Sequence, residues 1–111
     1  MNTRTHAQKR KETTMELNIK AIHFDTNERL EQFIAKKADK LERRYPAATL
    51  MEVTLKVVKP ETAMNKNAIV KVTIPQENEM VADKTADTFE EAVDRCLDAI
   101  ERQLEKNKNG K

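Results

Sequence analysis

The sequence predicts a two-layer α+β domain in the order β-α-β-β-β-α, a mainly antiparallel four-stranded sheet with two helices on one face. Three observations point there. Residues 27–44 and 88–106 repeat apolar side chains at helical spacing. Between them, residues 50–58 and 68–74 alternate inward apolar positions with outward, mostly polar ones, as strands with one solvated face do. Proline and cap residues fall at the joints between these stretches. A sheet with one apolar face and two amphipathic helices can bury each other as two layers.

The elements follow in order. Residues 1–14 lack apolar periodicity and read as a disordered basic tail or extension, with Met15 a possible alternative start. Residues 16–24 form the first strand, Leu17, Ile19 and Ala21 alternating at its start. Asp25 or Thr26 caps the helix that follows, Asp25 and Glu28 having the spacing of a capping box. That helix buries Leu30, Phe33, Ile34, Ala38 and Leu41 and ends at Tyr45-Pro46, because a residue before proline is pushed out of the helical region. In the second strand Met51, Val53, Leu55 and Val57 share one face; in the third Ala68, Val70, Val72 and Ile74 do. Residues 59–66 join them as a polar hairpin loop, and 75–79 form a further turn. A short strand occupies 80–85. Thr88, with Glu91 three positions on, caps the last helix. The folded domain is taken as 15–108, with 109–111 a frayed end.

A chain of 111 residues is one domain with a modest core. Its single glycine, Gly110, excludes a glycine-rich phosphate cradle and a G-x-S-x-G nucleophile elbow. His6 and His23 do not assemble a catalytic triad with the remaining residues, and no His/Cys cluster has zinc spacing, so neither an enzyme nor a metal or other cofactor is expected. Cys96 lies on an apolar helix stripe and reads as a buried small hydrophobe. No apolar run is long enough to span a membrane and the N-terminus lacks a signal core, which makes a cytoplasmic protein the default.

The helices sort their charges by sign. On the last, Phe89, Val93, Cys96, Leu97, Ile100 and Leu104 form the apolar stripe; Arg95, Arg102 and Lys106 fall together, as do Glu91, Asp94, Asp98, Glu101 and Glu105. On the first, Arg29, Lys36, Lys40, Arg43 and Arg44 share one flank, and Glu28, Glu31, Asp39 and Glu42 the other. A helix selected only for solubility gains from interspersed signs one turn apart. Separation suggests basic edges that face something anionic, and helices side by side on one sheet face could line a shared groove with them. The formal net charge of +2 is too small to act through the overall field, since Arg4, Lys9, Arg10 and Lys11 against Glu12 already supply it. Aromatics make up only 4% and mostly occupy core-facing positions, which argues against base stacking on the sheet and for phosphate and shape recognition of folded RNA.

Four segments in this order and spacing resemble the ribosome hibernation-promoting factors, also called ribosome-associated inhibitors or the sigma-54 modulation family. They are Leu17-Asn18-Ile19, ERLEQFIAKKADKL at 28–41, VTLKVVK at 53–59 and AVDRCLDAIERQLEK at 92–106. The resemblance implies a fold similar to double-stranded-RNA-binding domains. It implies a translation inhibitor that occupies the tRNA and mRNA channel of the small ribosomal subunit, contacting rRNA, with no small-molecule substrate, and monomeric off the ribosome. Carried over by position, the RNA-binding residues are Lys36, Lys37, Lys40, Arg43, Arg44, Arg95, Arg102 and Lys106. Lys37 lies near the apolar stripe, where a lysine stem can snorkel instead. A tyrosine common in relatives near the start of the last helix stands here as Glu90, and the chain reads as a short form without the ribosome-dimerising domain. A general duplex-RNA-binding module and a protein-interaction modulator of transcription are the alternatives.

Overall fold

A computed structural model describes residues 3–8, 15–58, 63–75 and 79–109, with the side chains of 3–8 and 107–109 outside that description. The elements are β1 (Thr3–Gln8), β2 (Glu16–Ile22), α1 (Glu28–Arg44), β3 (Leu50–Val57), β4 (Lys66–Thr73), β5 (Met80–Ala86) and α2 (Phe89–Asn109). From β2 onward the order is the expected β-α-β-β-β-α, an α+β sandwich in which two helices cover one face of the sheet.

The sheet order is β1-β2-β3-β4-β5. Leu17 stands opposite Met51 in the parallel β2–β3 pair, the two strands joined through α1. The β3–β4 and β4–β5 pairs are antiparallel hairpins, Val53 opposite Val70 and Val70 opposite Ala82. Within the expected tail, the described residues 3–8 differ from that expectation. Thr3–Gln8 form a fifth strand, antiparallel to β2, with Thr3 opposite Ile22 and Gln8 opposite Leu17. β2 presents a backbone edge of amides and carbonyls that an extended segment can pair whatever its side chains, so apolar periodicity gave no sign of it. Residues 1–2 and 9–14 of that tail lie outside the described residues, as do 59–62 of the expected 59–66 loop, 76–78 of the expected 75–79 turn and the last two residues of the frayed end. Asn109 itself is helical.

One core joins the layers. Leu17, Ile19, Met51, Val53, Leu55, Val70 and Val72 point from the sheet onto Leu30, Ile34, Ala38 and Leu41 of α1 and Val93, Cys96, Ile100 and Leu104 of α2. Phe24 and Phe89 are half-buried and stack at the core's margin, ring centroids 5.1 Å apart. With glycine absent from the body of the chain, left-handed backbone falls to exposed His23 (φ 67°), just past β2, and to Met64 (φ 58°) before β4. Asp87 accepts a hydrogen bond from the Met64 amide at 2.8 Å and so ties that turn to the start of α2.

Candidate nucleic-acid interface

Each helix is set by its cap and its apolar stripe. Asn27, rather than Asp25 or Thr26, caps α1: its side chain accepts from the Leu30 amide at 2.8 Å. The Thr26 hydroxyl instead donates to the Glu31 carboxylate. Thr88 Oγ1 accepts from the Glu91 amide at 3.1 Å, as the sequence predicts. Thus fixed, α1 buries Leu30, Ile34, Ala38 and Leu41, and α2 buries Val93, Cys96, Leu97, Ile100 and Leu104. α2 runs back along the sheet from the end of β5, its Gln103 Nε2 donating to the Val81 carbonyl at 3.2 Å. α1 likewise returns from the end of β2 to the start of β3, so the two helices point the same way.

Direction decides what the sorted charges face. Both helices carry basic and acidic flanks in the same rotational sense. Two such helices, parallel and side by side, must set the basic flank of one against the acidic flank of the other. Lys37 Nζ lies 2.8 Å from Asp94. Arg44 reaches Glu101 at 3.1 Å and Glu105 at 3.4 Å. Lys37 and Arg44 are two helical turns apart, as are Asp94 and Glu101, so the pairs repeat along the seam. Between the helices is a shallow groove of about 190 Å³, lined by Lys37, Lys40 and Arg44 on one side and Asp94, Leu97, Asp98 and Glu101 on the other. The expectation of one groove lined by both basic edges is therefore corrected. The groove is basic on its α1 wall and acidic on its α2 wall, and the basic edge of α2 turns outward.

The eight predicted RNA-binding residues divide into three groups. Lys36, Lys40, Arg43 and Lys106 are exposed and make no ion pair among the described residues. Arg95 and Arg102 are exposed and paired within α2, to Glu91 at 2.7 Å and Asp98 at 3.0 Å. Exposed pairs one turn apart are worth only tenths of a kcal/mol, about 0.3–0.5, so they open readily toward a stronger anion. Lys37 and Arg44 are held in the seam, each also over a ring: Lys37 Nζ is 5.3 Å from the Phe33 centroid and Arg44 Cζ is 5.7 Å from that of Tyr45. The near-apolar position read for Lys37 is where the structure puts it, half-buried.

The acids of the seam and Tyr45 are what the sequence reading passed over. Tyr45 Oη donates to Glu105 Oε2 at 2.7 Å. Burial, then the bond and charge of Glu105, push the phenol above its ordinary 10.0, so it stays a neutral donor. Spacing carried a signal for the seam, since two cations and two acids repeat at the same interval, but not the helix direction that pairs them. Cys96 lies beneath α2 and reaches none of this surface. Among the described residues no group of His, Cys, Asp and Glu could hold a metal ion, and no helix is long and apolar enough to cross a membrane. What the surface offers is a layer of cations on two rigid helices, suited to spaced phosphates.

A family model described as sigma 54 modulation protein / S30EA ribosomal protein matches residues 17–110. The fold is similar to the crystal structure of the N-terminal domain of Protein Y from Thermus thermophilus, with a TM-score of 0.64 and 20% sequence identity, over 81% of this chain and 92% of that one.

Proposed function

The chain belongs to the sigma 54 modulation protein / S30EA ribosomal protein family, and from that premise we propose that it is a cytoplasmic, ribosome-associated translation regulator of the hibernation type. It binds the small subunit through rRNA phosphates and occupies space that tRNA and mRNA need, without catalysis and without a cofactor. The observation that carries this reading is the outer surface of the helical layer. Lys36, Lys40 and Arg43 project from α1 with no ion pair among the described residues, and Arg95, Arg102 and Lys106 project from the outward edge of α2. Two rigid helices anchored in one core hold these cations at fixed separations, as recognition of RNA by shape and phosphate position requires. Engaging them releases counterions from the RNA, so affinity falls steeply as salt rises. The folded body then blocks the channel sterically.

The test is cosedimentation of the full chain with small subunits and whole ribosomes at low and moderate salt. The wild-type chain is expected to comigrate with the small subunit at low salt and to dissociate as salt rises. The double reversal K40E/R102E changes two exposed side chains and leaves the core alone. It is expected to weaken binding at least tenfold, on the order of one lost charge-assisted contact or more, with an unchanged circular dichroism spectrum. Unchanged affinity in that folded variant would contradict the assignment of these residues. Comigration with free duplex RNA as strong as with subunits would favour a general duplex-binding module.

A further inference from the structure

Resting on that reading, the seam between the helices supplies something it does not contain: a reason for the interface to prefer one RNA over others. The geometry points to Asp94, Glu101 and Glu105 as specificity-determining residues, which compete with RNA phosphates for Lys37 and Arg44. Arg44 is held by two carboxylates one turn apart on α2, and Glu105 is itself fixed by the Tyr45 hydroxyl. Lys37 is held by Asp94 and backed by the Phe33 ring. Neither cation is buried away: their side chains are 31% and 50% exposed, at the mouth of the groove. They are neutralised rather than hidden.

The interface therefore has two tiers. Lys36, Lys40, Arg43 and Lys106 are open to any polyanion, and so are Arg95 and Arg102 once their weak pairs within α2 open. Lys37 and Arg44 answer only to an RNA whose shape brings phosphates into the groove, close enough to displace the carboxylates. A regular duplex that bridges the two helices meets the acidic wall of α2 and gains nothing from these two cations. An RNA that fits the groove loses only the exposed ion pairs, which are weak, and gains two phosphate contacts. Generic RNA is thereby held to low affinity while a shaped site keeps its full set of cations. The arrangement discriminates by building a repulsive element against the wrong partner.

The experiment compares the full-length wild-type chain with D94N/E101Q/E105Q, and with a control of equal charge change on the opposite sheet face, E16Q/E52Q/E79Q. The control frees Lys71, which sits 3.3 Å from Glu52 and 3.9 Å from Glu79. Binding is measured to a 20-base-pair duplex RNA of arbitrary sequence and to purified small subunits across a salt series. In the seam variant, affinity for the duplex is expected to rise about tenfold at low salt and its salt slope to steepen by about two, one for each cation released. Affinity for small subunits is expected to change by about threefold or less, so the ratio between the two falls. D94N alone, a single exposed change, is expected to steepen the duplex slope by about one and stands in should the triple variant not fold. A duplex slope that does not move in either variant overturns the proposal. So does an equal gain in the control, which would make the effect one of net charge or of any freed cation rather than of the seam. Should the wild-type chain ignore small subunits at every salt, the ribosomal reading fails by itself, while the duplex slopes still decide whether the acids hold Lys37 and Arg44.

Discussion

Cys96 packs its Sγ against the sheet, donating to the Ala68 carbonyl at 3.1 Å and the Ala82 carbonyl at 3.5 Å. Burial, only partly offset by backbone hydrogen bonds, pushes the thiol up from an ordinary 9.0 to about 11. The folded state therefore favours the protonated form more than the unfolded chain does. That contribution is complete below about pH 9 and is lost as pH rises toward 11. The urea midpoint of the wild-type chain is expected to fall across this window by more than that of C96A, which lacks the group. Alkylation by iodoacetamide at pH 8 is expected to be negligible until denaturant is added. Rapid labelling of the native chain would show that the thiol is not where the structure has it. The position of Cys96 on an apolar stripe was enough to read it as core, because helical periodicity states burial directly. Periodicity said much less about Arg44. It placed that residue correctly on the α1 flank, but what an exposed arginine touches depends on the next element over, and Glu101 and Glu105 lie more than fifty residues away in the chain.

At the scale of elements, the alternating strands and capped helices were legible to within a few residues, and the discrepancies have local causes. Asp25, Thr26 and Asn27 are three cap-competent residues in a row, and the apolar period cannot choose among them. Backbone geometry chose Asn27, whose extended φ/ψ of −118° and 165° turns its carbonyl into the first helical bond while its side chain accepts from Leu30. N27A and T88A are each expected to lower stability by about 1 kcal/mol, the usual cost of losing an N-cap acceptor, read as a shift in urea midpoint at constant slope. A double variant is expected to show the sum, since the caps serve different helices and share no hydrogen bond. The fifth strand was not legible, because what recruits Thr3–Gln8 is the backbone edge of β2 rather than any pattern of their own. The opposition of charge across the helix seam was out of reach for a related reason. It follows from both helices returning along the same sheet in one direction, a property of topology that neither helix carries alone.

For the molecule as a whole, the one parallel pairing in the sheet sets apart two halves that close at different ranges. The hairpins β3–β4 and β4–β5 join neighbours: Val57 meets Lys66 and Val72 meets Met80. The β2–β3 pair must bring Leu17 to Met51 across the whole of α1. Closing a longer loop costs more chain entropy before any contact offsets it. Assembly is therefore expected to begin in the meander of β3, β4 and β5 with α2 laid over it, and to finish when β2 and α1 dock. In stopped-flow refolding, V70A and V72A should mainly slow folding, whereas I34A on α1 should mainly hasten unfolding; the reverse pattern would exclude this order. Half of the proposed RNA surface stands on α1 and half on α2. A chain in which β2 and α1 have not yet docked would present the α2 half alone, with Asp94, Glu101 and Glu105 unopposed and repelling phosphate. The polarity of the surface would then reverse at the last step of folding, from a weakly acidic face to a cationic one. A released chain that has not finished folding would be kept off the very RNA that its finished form is built to hold.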